Sequence, residues 1–299
     1  MKLYAPKYYE KFNCIADKCR HSCCVGWEID IDEDTARKYA ALTNDYGKEI
    51  EKSIDRDEIP HFRLCEGERC PHLAPSGLCR IICELGEGFL CDICREHPRF
   101  YNDTSRGKEV GLGMACEEAC RIILSSDEYK DLIEIGEVTG EEQLFDFDAI
   151  QHREKIFSLL SEDAMPYPAR IERISSEYGV SLSTRSDDGW GALICSLEYL
   201  NEAHKEMFLR YSSEHQPPKK FEKMLERAFA YFVFRHCSGA ESEANFLSAL
   251  GLALFCERLL SSLSKSAENE NEVTGLARII SEEIEYSEDN TEAIKAEFE

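Results

Sequence analysis

The sequence predicts a mainly α protein, with a cysteine-rich N-terminal region carrying short strands packed on a C-terminal helical bundle. Three observations predict it. Twelve of the fifteen cysteines lie between Cys14 and Cys120. Alternation of period two is confined to two short stretches, Trp27–Ile31 and Val110–Met114. After Leu124 the apolar residues recur at i, i+3, i+4 and i+7, the spacing of an amphipathic helix. The chain has 299 residues, enough for one large domain or two ordinary ones. The change of texture divides it into a region 1–124 and a helical domain 125–299 with a frayed, acidic C-terminal tail.

In chain order, Trp27, Ile29 and Ile31 predict a strand, and Asp32 the N-cap of a helix through Ala36, Tyr39 and Ala40. Residues 43–64 are polar, lack a period and read as a connector. Leu78–Leu85 gives two helical turns stopped by Gly86 in the left-handed conformation, and Leu90–His97 a second short helix ended by Pro98. A helix starts near Cys116, with Glu117 and Glu118 in the first turn where its dipole favours them. Helices follow over 149–161, 168–178, Trp190–Leu200, Phe221–Phe232, Phe246–Leu263 and Val273–Ile284. Phe246–Leu263 is apolar nearly all round, so it is the expected central helix. The aromatic stripe Phe229, Tyr231, Phe232 and Phe234 reads as packing.

Net charge is −24, from 59 acidic and 35 basic residues. That argues against nucleic acid as a partner, which needs a dense basic face. No run of about eighteen apolar residues predicts a membrane span, and Met1–Cys14 has no apolar secretory core. The expected compartment is the cytoplasm, where thiols stay reduced and clustered cysteines bind metal or do chemistry rather than form disulfides.

The cysteines form three groups: Cys14-x4-Cys19-x3-Cys23-Cys24, then Cys65-x4-Cys70-x8-Cys79-x3-Cys83-x7-Cys91-x2-Cys94, then Cys116-x3-Cys120 at a helix start. Backbone amides at a helix start stabilise the thiolate, the form that binds metal. A metal-binding region is the expectation. Four thiolates serve Zn2+ or a [4Fe–4S] cluster equally, and the spacings match neither a zinc ribbon nor a ferredoxin run. His72 and His97 read as turn or outer-shell residues, and Cys195, Cys237 and Cys256 as small buried hydrophobes. No Walker loop, nucleophile elbow or complete glycine-rich dinucleotide fingerprint is present.

As an ordered series, Cys14-x4-Cys19-x3-Cys23-Cys24 with Gly26-Trp27, Cys70-Pro71-x-Leu73, Leu78-Cys79-x-Ile81, Cys94-x2-His97-Pro98-Arg99 and Cys116-Glu117-Glu118-Ala119 resembles the flagellin lysine-N-methylase family. That family overlaps cysteine-cluster proteins described as zinc- or iron-chelating. Tyr231-Phe232-Val233-Phe234-Arg235 resembles a weaker helical signature of the same family. The resemblance implies methyl transfer from S-adenosyl-L-methionine to lysine side chains of flagellin, with an iron–sulfur cluster in the enzyme. The ligand set it implies is Cys14, Cys19, Cys23, Cys24, Cys70, Cys79, Cys94 and Cys116. His97 and Glu117 depart from the family pattern, and Cys65, Cys83, Cys91 and Cys120 are extra. Two other classes fit the cysteines: a non-catalytic zinc- or iron-binding module that recruits a partner, and a redox iron–sulfur protein.

Overall fold

The computed structural model describes residues 1–57, 59–139, 146–214 and 216–299. Of the chain, 56% is helical, which makes the protein mainly α as the periodicity predicted. It divides into two compact units at different places from those read from composition: 13–98, and 1–12 together with 99–299. The cause is strand pairing. Strand β1 (Lys2–Pro6) lies parallel to a strand more than a hundred residues later, so the N-terminus belongs with the second half of the chain.

The unit 13–98 holds α1 (Glu33–Ala40), α2 (Asp45–Ser53), a small hairpin of β2 (Ile54–Asp55) and β3 (His61–Phe62), α3 (Arg80–Leu85) and α4 (Asp92–Glu96). Asp32 is the expected N-cap: its carboxylate accepts from the Thr35 N–H (2.9 Å). Its second oxygen accepts from the Asp92 N–H (2.9 Å), so one side chain ties the starts of α1 and α4 together. Among the described residues Trp27–Ile31 makes one isolated bridge, at Asp30, with another just before it at Val25, and Ile29 and Ile31 are buried. The connector expected over 43–64 is instead α2 and the hairpin. Asn44 caps α2, and Tyr46 and Ile50, four residues apart, lie on its buried face. Gly86 ends α3 at φ 92°, but with ψ 165°, so the chain leaves extended rather than left-handed helical.

The larger unit continues with β4 (Arg99–Thr104), β5 (Gly107–Leu112), α5 (Glu117–Ser125) and β6 (Leu132–Glu137). Its sheet has the order β4-β5-β1-β6. The helices are α6 (Ala149–Leu160), α7 (Tyr167–Tyr178), α8 (Asp187–Ser196), α9 (Glu202–Phe208), α10 (Glu222–Cys237), α11 (Glu243–Ser264), α12 (Glu270–Ile280) and α13 (Glu288–Lys295). A π-helical turn, Ser281–Glu285, follows α12 directly. The core is built on α10 and α11. By length and hydropathy α11 is long enough to cross a membrane, but 89% of that stretch is buried inside the unit, which makes it a core helix. Arg153 on α6 and Glu109 on β5 form a buried bidentate ion pair (2.5 and 3.0 Å) that Ser238 also joins.

Two expectations in the second half are corrected. The helix expected from Trp190 to Leu200 stops at Ser196, and the freed backbone is met by side chains from the C-terminal segment. Asn290 exchanges hydrogen bonds with the backbone of Glu198 (2.8 Å each), and Glu283 accepts from the Leu200 N–H (2.7 Å). The tail from Ser287 is therefore not frayed. It forms α13 and a 3₁₀ turn at Ala296–Phe298, with Ile294 fully buried and the Phe298 ring stacked on Trp190 at 6.0 Å. Acidic residues dominate the composition there and hide the single apolar pair, Ile294 and Phe298, spaced i, i+4.

The Phe298 ring lies directly over Gly251 of α11, where an added Cβ would come within 2.2 Å of it. Phe298→Ala should lower stability by roughly 2–4 kcal/mol. Gly251→Ala should destabilise the wild-type chain yet stabilise the Phe298→Ala chain, because alanine is otherwise favoured in a helix by about 1 kcal/mol. Urea denaturation of the four variants checks the change of sign.

Candidate metal centre

The cysteines of the unit 13–98 are brought together by backbone bridges between short elements. The Cys70 N–H donates to the Cys24 carbonyl (2.9 Å), next to a bridge between Val25 and Arg69. Leu73 bridges to Cys79, which stands at the N-cap position of α3. Cys91 occupies the same position on α4, whose start is fixed by Asp32. Tyr39 of α1 donates its hydroxyl to the Phe89 carbonyl (2.7 Å) and lies 3.7 Å from the Cys91 sulfur.

Cys24, Cys70, Cys79, Cys91 and Cys94 are thereby gathered on the core of this unit, with Cys70 and Cys91 buried and the other three partly so. Cys70, Cys79, Cys91 and Cys94 each feel the charge or hydrogen bond of at least one other member, and Cys24 that of the adjacent Cys23. A hydrogen bond from Cys23 pushes the Cys24 thiol down to about 7, against burial and with help from Ser22 and Arg69. The bond from Cys94, against burial and with help from Tyr39, lowers Cys91. Burial pushes Cys70 up to about 12 and raises Cys79, while the bond to Cys91 and burial raise Cys94. Backbone N–H groups nonetheless point at the sulfurs, from His72 to Cys70 and from Ile81 and Ile82 to Cys79. Donors aimed at desolvated thiols that repel one another when ionised are an arrangement a cation completes, since a coordinated thiol is deprotonated outright. The donor set suits a thiolate-bound metal, and four of the five suffice for zinc or for a cubane iron–sulfur cluster.

Four of the eight sequence-derived ligands, Cys24, Cys70, Cys79 and Cys94, fall in this group. Cys23 sits beside it through its bond to Cys24. Cys14 is exposed, with the Ala16 N–H 3.4 Å from its sulfur, and Cys19 donates to the His21 carbonyl (3.1 Å). Cys116 lies in the larger unit, at the N-cap position of α5. Cys91, which the resemblance counts as extra, is a full member of the group. Its place at the head of a helix was the available signal. His72 is excluded as a ligand: it is buried, and its ring nitrogens are taken up by Tyr46 (3.2 Å) and Ser53 (3.0 Å).

A second polar constellation lies in the larger unit, between α10 and the π turn. The Tyr231 hydroxyl donates to Glu285 (2.9 Å) and accepts from the Met114 N–H and from Arg235 (3.1 Å each). Glu285 also meets His236 at 2.7 Å and Arg235 at 3.4 Å. The Arg235 guanidinium stacks between Phe100 and Tyr286, and Tyr286 lies within electrostatic reach of Cys116. Burial raises the Glu285 carboxyl, but Arg235 and His236 more than offset it and hold it below the usual range. The sequence reading assigned Tyr231 to packing and did not single out Glu285, because the apolar period of Ile280 and Ile284 continues through the π turn and disguises an inward carboxylate. A third group, His204, Glu282 and Glu283, has ligand atoms within 4.8 Å of one another. Its members are already engaged: Glu283 accepts from the Leu200 and Asn201 N–H groups and pairs with His204, and Glu282 pairs with Arg278.

The chain is 28% identical over 151 residues to the Lysine-N-methylase of Salmonella typhimurium, and likewise to that of Salmonella choleraesuis. Each match covers 47% of this chain, which spans only 36% of the relative. The Flagellar biosynthetic protein FliU of Salmonella muenchen is 28% identical over 143 residues, 44% of this chain and 80% of that protein. No family model matches the chain, and no solved structure matches it. The resemblance to the flagellin lysine-N-methylases is thus borne out as a relationship, and the relatives' names point to lysine methylation.

Membership of Cys91 in the centre is directly testable. Cys91→Ser should remove at least half of the metal bound per chain after anaerobic purification, since a hydroxyl is a far poorer soft-metal ligand than a thiolate. Cys195→Ser, in the larger unit, should remove none. Metal analysis of the two variants checks it.

Proposed function

We propose that the protein is a protein-lysine N-methyltransferase that moves methyl groups from S-adenosyl-L-methionine to lysine side chains of flagellin, in the cytoplasm before export. The observation that carries this reading is the relationship to proteins named Lysine-N-methylase and FliU in a chain that gathers five desolvated thiols. The proposed cofactor is a [4Fe–4S] cluster, with Zn2+ as the alternative. Its ligands would be drawn from Cys24, Cys70, Cys79, Cys91 and Cys94, and from the other cysteines of the implied set, Cys14, Cys19, Cys23 and Cys116.

When bound, an iron–sulfur cluster would supply a Lewis-acidic iron able to hold the amino and carboxylate groups of the methyl donor. The chain's own residues do the rest. Amides at His72, Ile81 and Ile82 donate to the Cys70 and Cys79 sulfurs and favour the ionised form against the larger effect of burial. Tyr39 and Asp32 fix the helix start that carries Cys91. The acidic surface, at net charge −24, draws in a cationic lysine-bearing partner. The lysine amine, whose ordinary pKa is about 10.4, must give up a proton before its lone pair can attack.

Incubation of metal-replete protein with native flagellin and S-adenosyl-L-methionine should yield methylated lysines by mass spectrometry. Donor binding by calorimetry without any methylated product would favour a different protein substrate. Neither donor binding nor product would leave a metal-stabilised interaction module or an electron carrier.

A further inference from the structure

We infer that the cavity between the β4–β5 turn, the start of β6 and α6 binds an α-amino acid as its zwitterion, with the carboxylate on Lys130 and Arg106 and the ammonium on Asp131. The inference goes beyond the methyl-transfer reading and does not depend on it, because every residue involved lies in the larger unit. The cavity measures about 320 Å³. That is the small end of the range for ligand sites, roughly 300–1,000 Å³.

Three stretches of chain build the walls. Arg106 stands in the turn between β4 and β5, Lys130 and Asp131 lead into β6, and α6 presents Arg153 and Glu154. Leu132 and Phe157 supply apolar surface. In a chain of net charge −24, a wall with three cations against two carboxylates is an exception. A neighbouring cavity of about 450 Å³ shares Arg106 and Glu154, so the space continues along the N-terminal turns of α6.

The fold uses some of these charges and leaves others. Glu154 holds one nitrogen of Arg106 at 2.6 Å. Arg153 is 1% exposed, and its two terminal nitrogens hold Glu109 and Ser238. Its Nε has no hydrogen-bond partner among the described residues. The Nε atoms of Arg170, Arg258 and Arg278 are orphaned in the same way, and of the four it is Arg153 that lines this cavity. A buried donor without an acceptor is met by water or by a ligand oxygen, and the adjoining cavity is where such an oxygen can sit. Lys130 and Asp131 are exposed, and among the described residues neither side chain has an ion-pair partner. The Lys130 ammonium rests 5.3 Å from the Tyr129 ring.

The mixture of signs selects the ligand class. A simple anion such as phosphate meets two carboxylates on the same walls, and a simple amine meets three cations. An amino-acid zwitterion meets neither obstacle. Its carboxylate accepts from Lys130, Arg106 and the orphaned Arg153 Nε, its ammonium donates to Asp131, and Leu132 and Phe157 offer apolar surface to its side chain.

Calorimetry of the metal-replete, full-length protein with each common L-amino acid, with S-adenosyl-L-methionine and with inorganic phosphate tests the assignment. At least one of the amino-acid probes should bind, and its decarboxylated and N-acetylated forms should not. Lys130→Ala and Asp131→Asn change exposed side chains outside the core. Each should weaken binding about tenfold or more, at unchanged metal content and unfolding midpoint. Silence from the free amino acids with binding of S-adenosyl-L-methionine that depends on Lys130 and Asp131 would identify the ligand as the amino-acid end of the methyl donor, held by this cavity and not by an iron. Binding by none of the amino-acid probes, phosphate bound as tightly as the best of them, or affinity unmoved by both substitutions would overturn the inference, and none of these results bears on whether the protein methylates lysine.

Discussion

The constraint on which the unit 13–98 turns is the burial of thiols that would repel one another if they ionised. Five sulfurs are gathered on a core of only a few short elements, and burial pushes several of them towards the neutral form. A unit of that size has little apolar surface with which to offset such a cost. A bound cation would relieve the repulsion and would add folding free energy of its own, as is general for small metal-dependent folds. The rest of the unit can be understood as scaffolding for that arrangement. Asp32 caps one helix and anchors the start of another, Tyr39 reaches across to the loop before Cys91, and the Cys70 amide ties to Cys24. Most of these are backbone or capping interactions, because a segment crowded with cysteine, glycine and proline has few large side chains to pack.

The larger unit solves the opposite problem. Its core is built from long apolar helices, and its polar groups are exceptions that need partners. Glu285, Glu109 and Glu226 are each buried with arginine and hydroxyl neighbours: Arg235 and Tyr231, Arg153 and Ser238, and Arg170 with Tyr129. Buried ion pairs stabilise weakly because desolvation consumes much of the attraction, but losing one partner strands a charge and costs several kcal/mol. The Glu109 pair stays wholly inside the unit, whereas Glu226 also meets the half-exposed Lys223, and the group at Glu285 adds a histidine to its arginine.

Much of this was legible in the sequence. The long helices announced themselves through their apolar period, and Asp32, Gly86 and Pro98 marked ends close to where the elements stop. The cysteine spacing marked out the segment proposed to bind metal, and four of the five gathered thiols were named from the resemblance alone. What escaped has physical causes. The helix Asp45–Ser53 carries too few apolar residues to show a period, and its cap at Asn44 was the only cue. Ile294 and Phe298 lie in an acidic stretch whose average composition hides them. Cys91 was set aside because it departs from a family series, whereas its position at a helix start is what brings its sulfur to the others. Glu285 is invisible to periodicity, since the apolar period of Ile280 and Ile284 runs on through the π turn beside it.

The central claim is that the gathered thiols hold a metal. X-ray absorption at the iron and zinc edges of anaerobically purified protein tests it most directly. The account predicts a first shell of sulfur, at about 2.3 Å if the metal is zinc, with iron neighbours beyond the sulfur shell if the metal is a cluster. A first shell of nitrogen and oxygen alone, or a protein that carries neither metal, would contradict it.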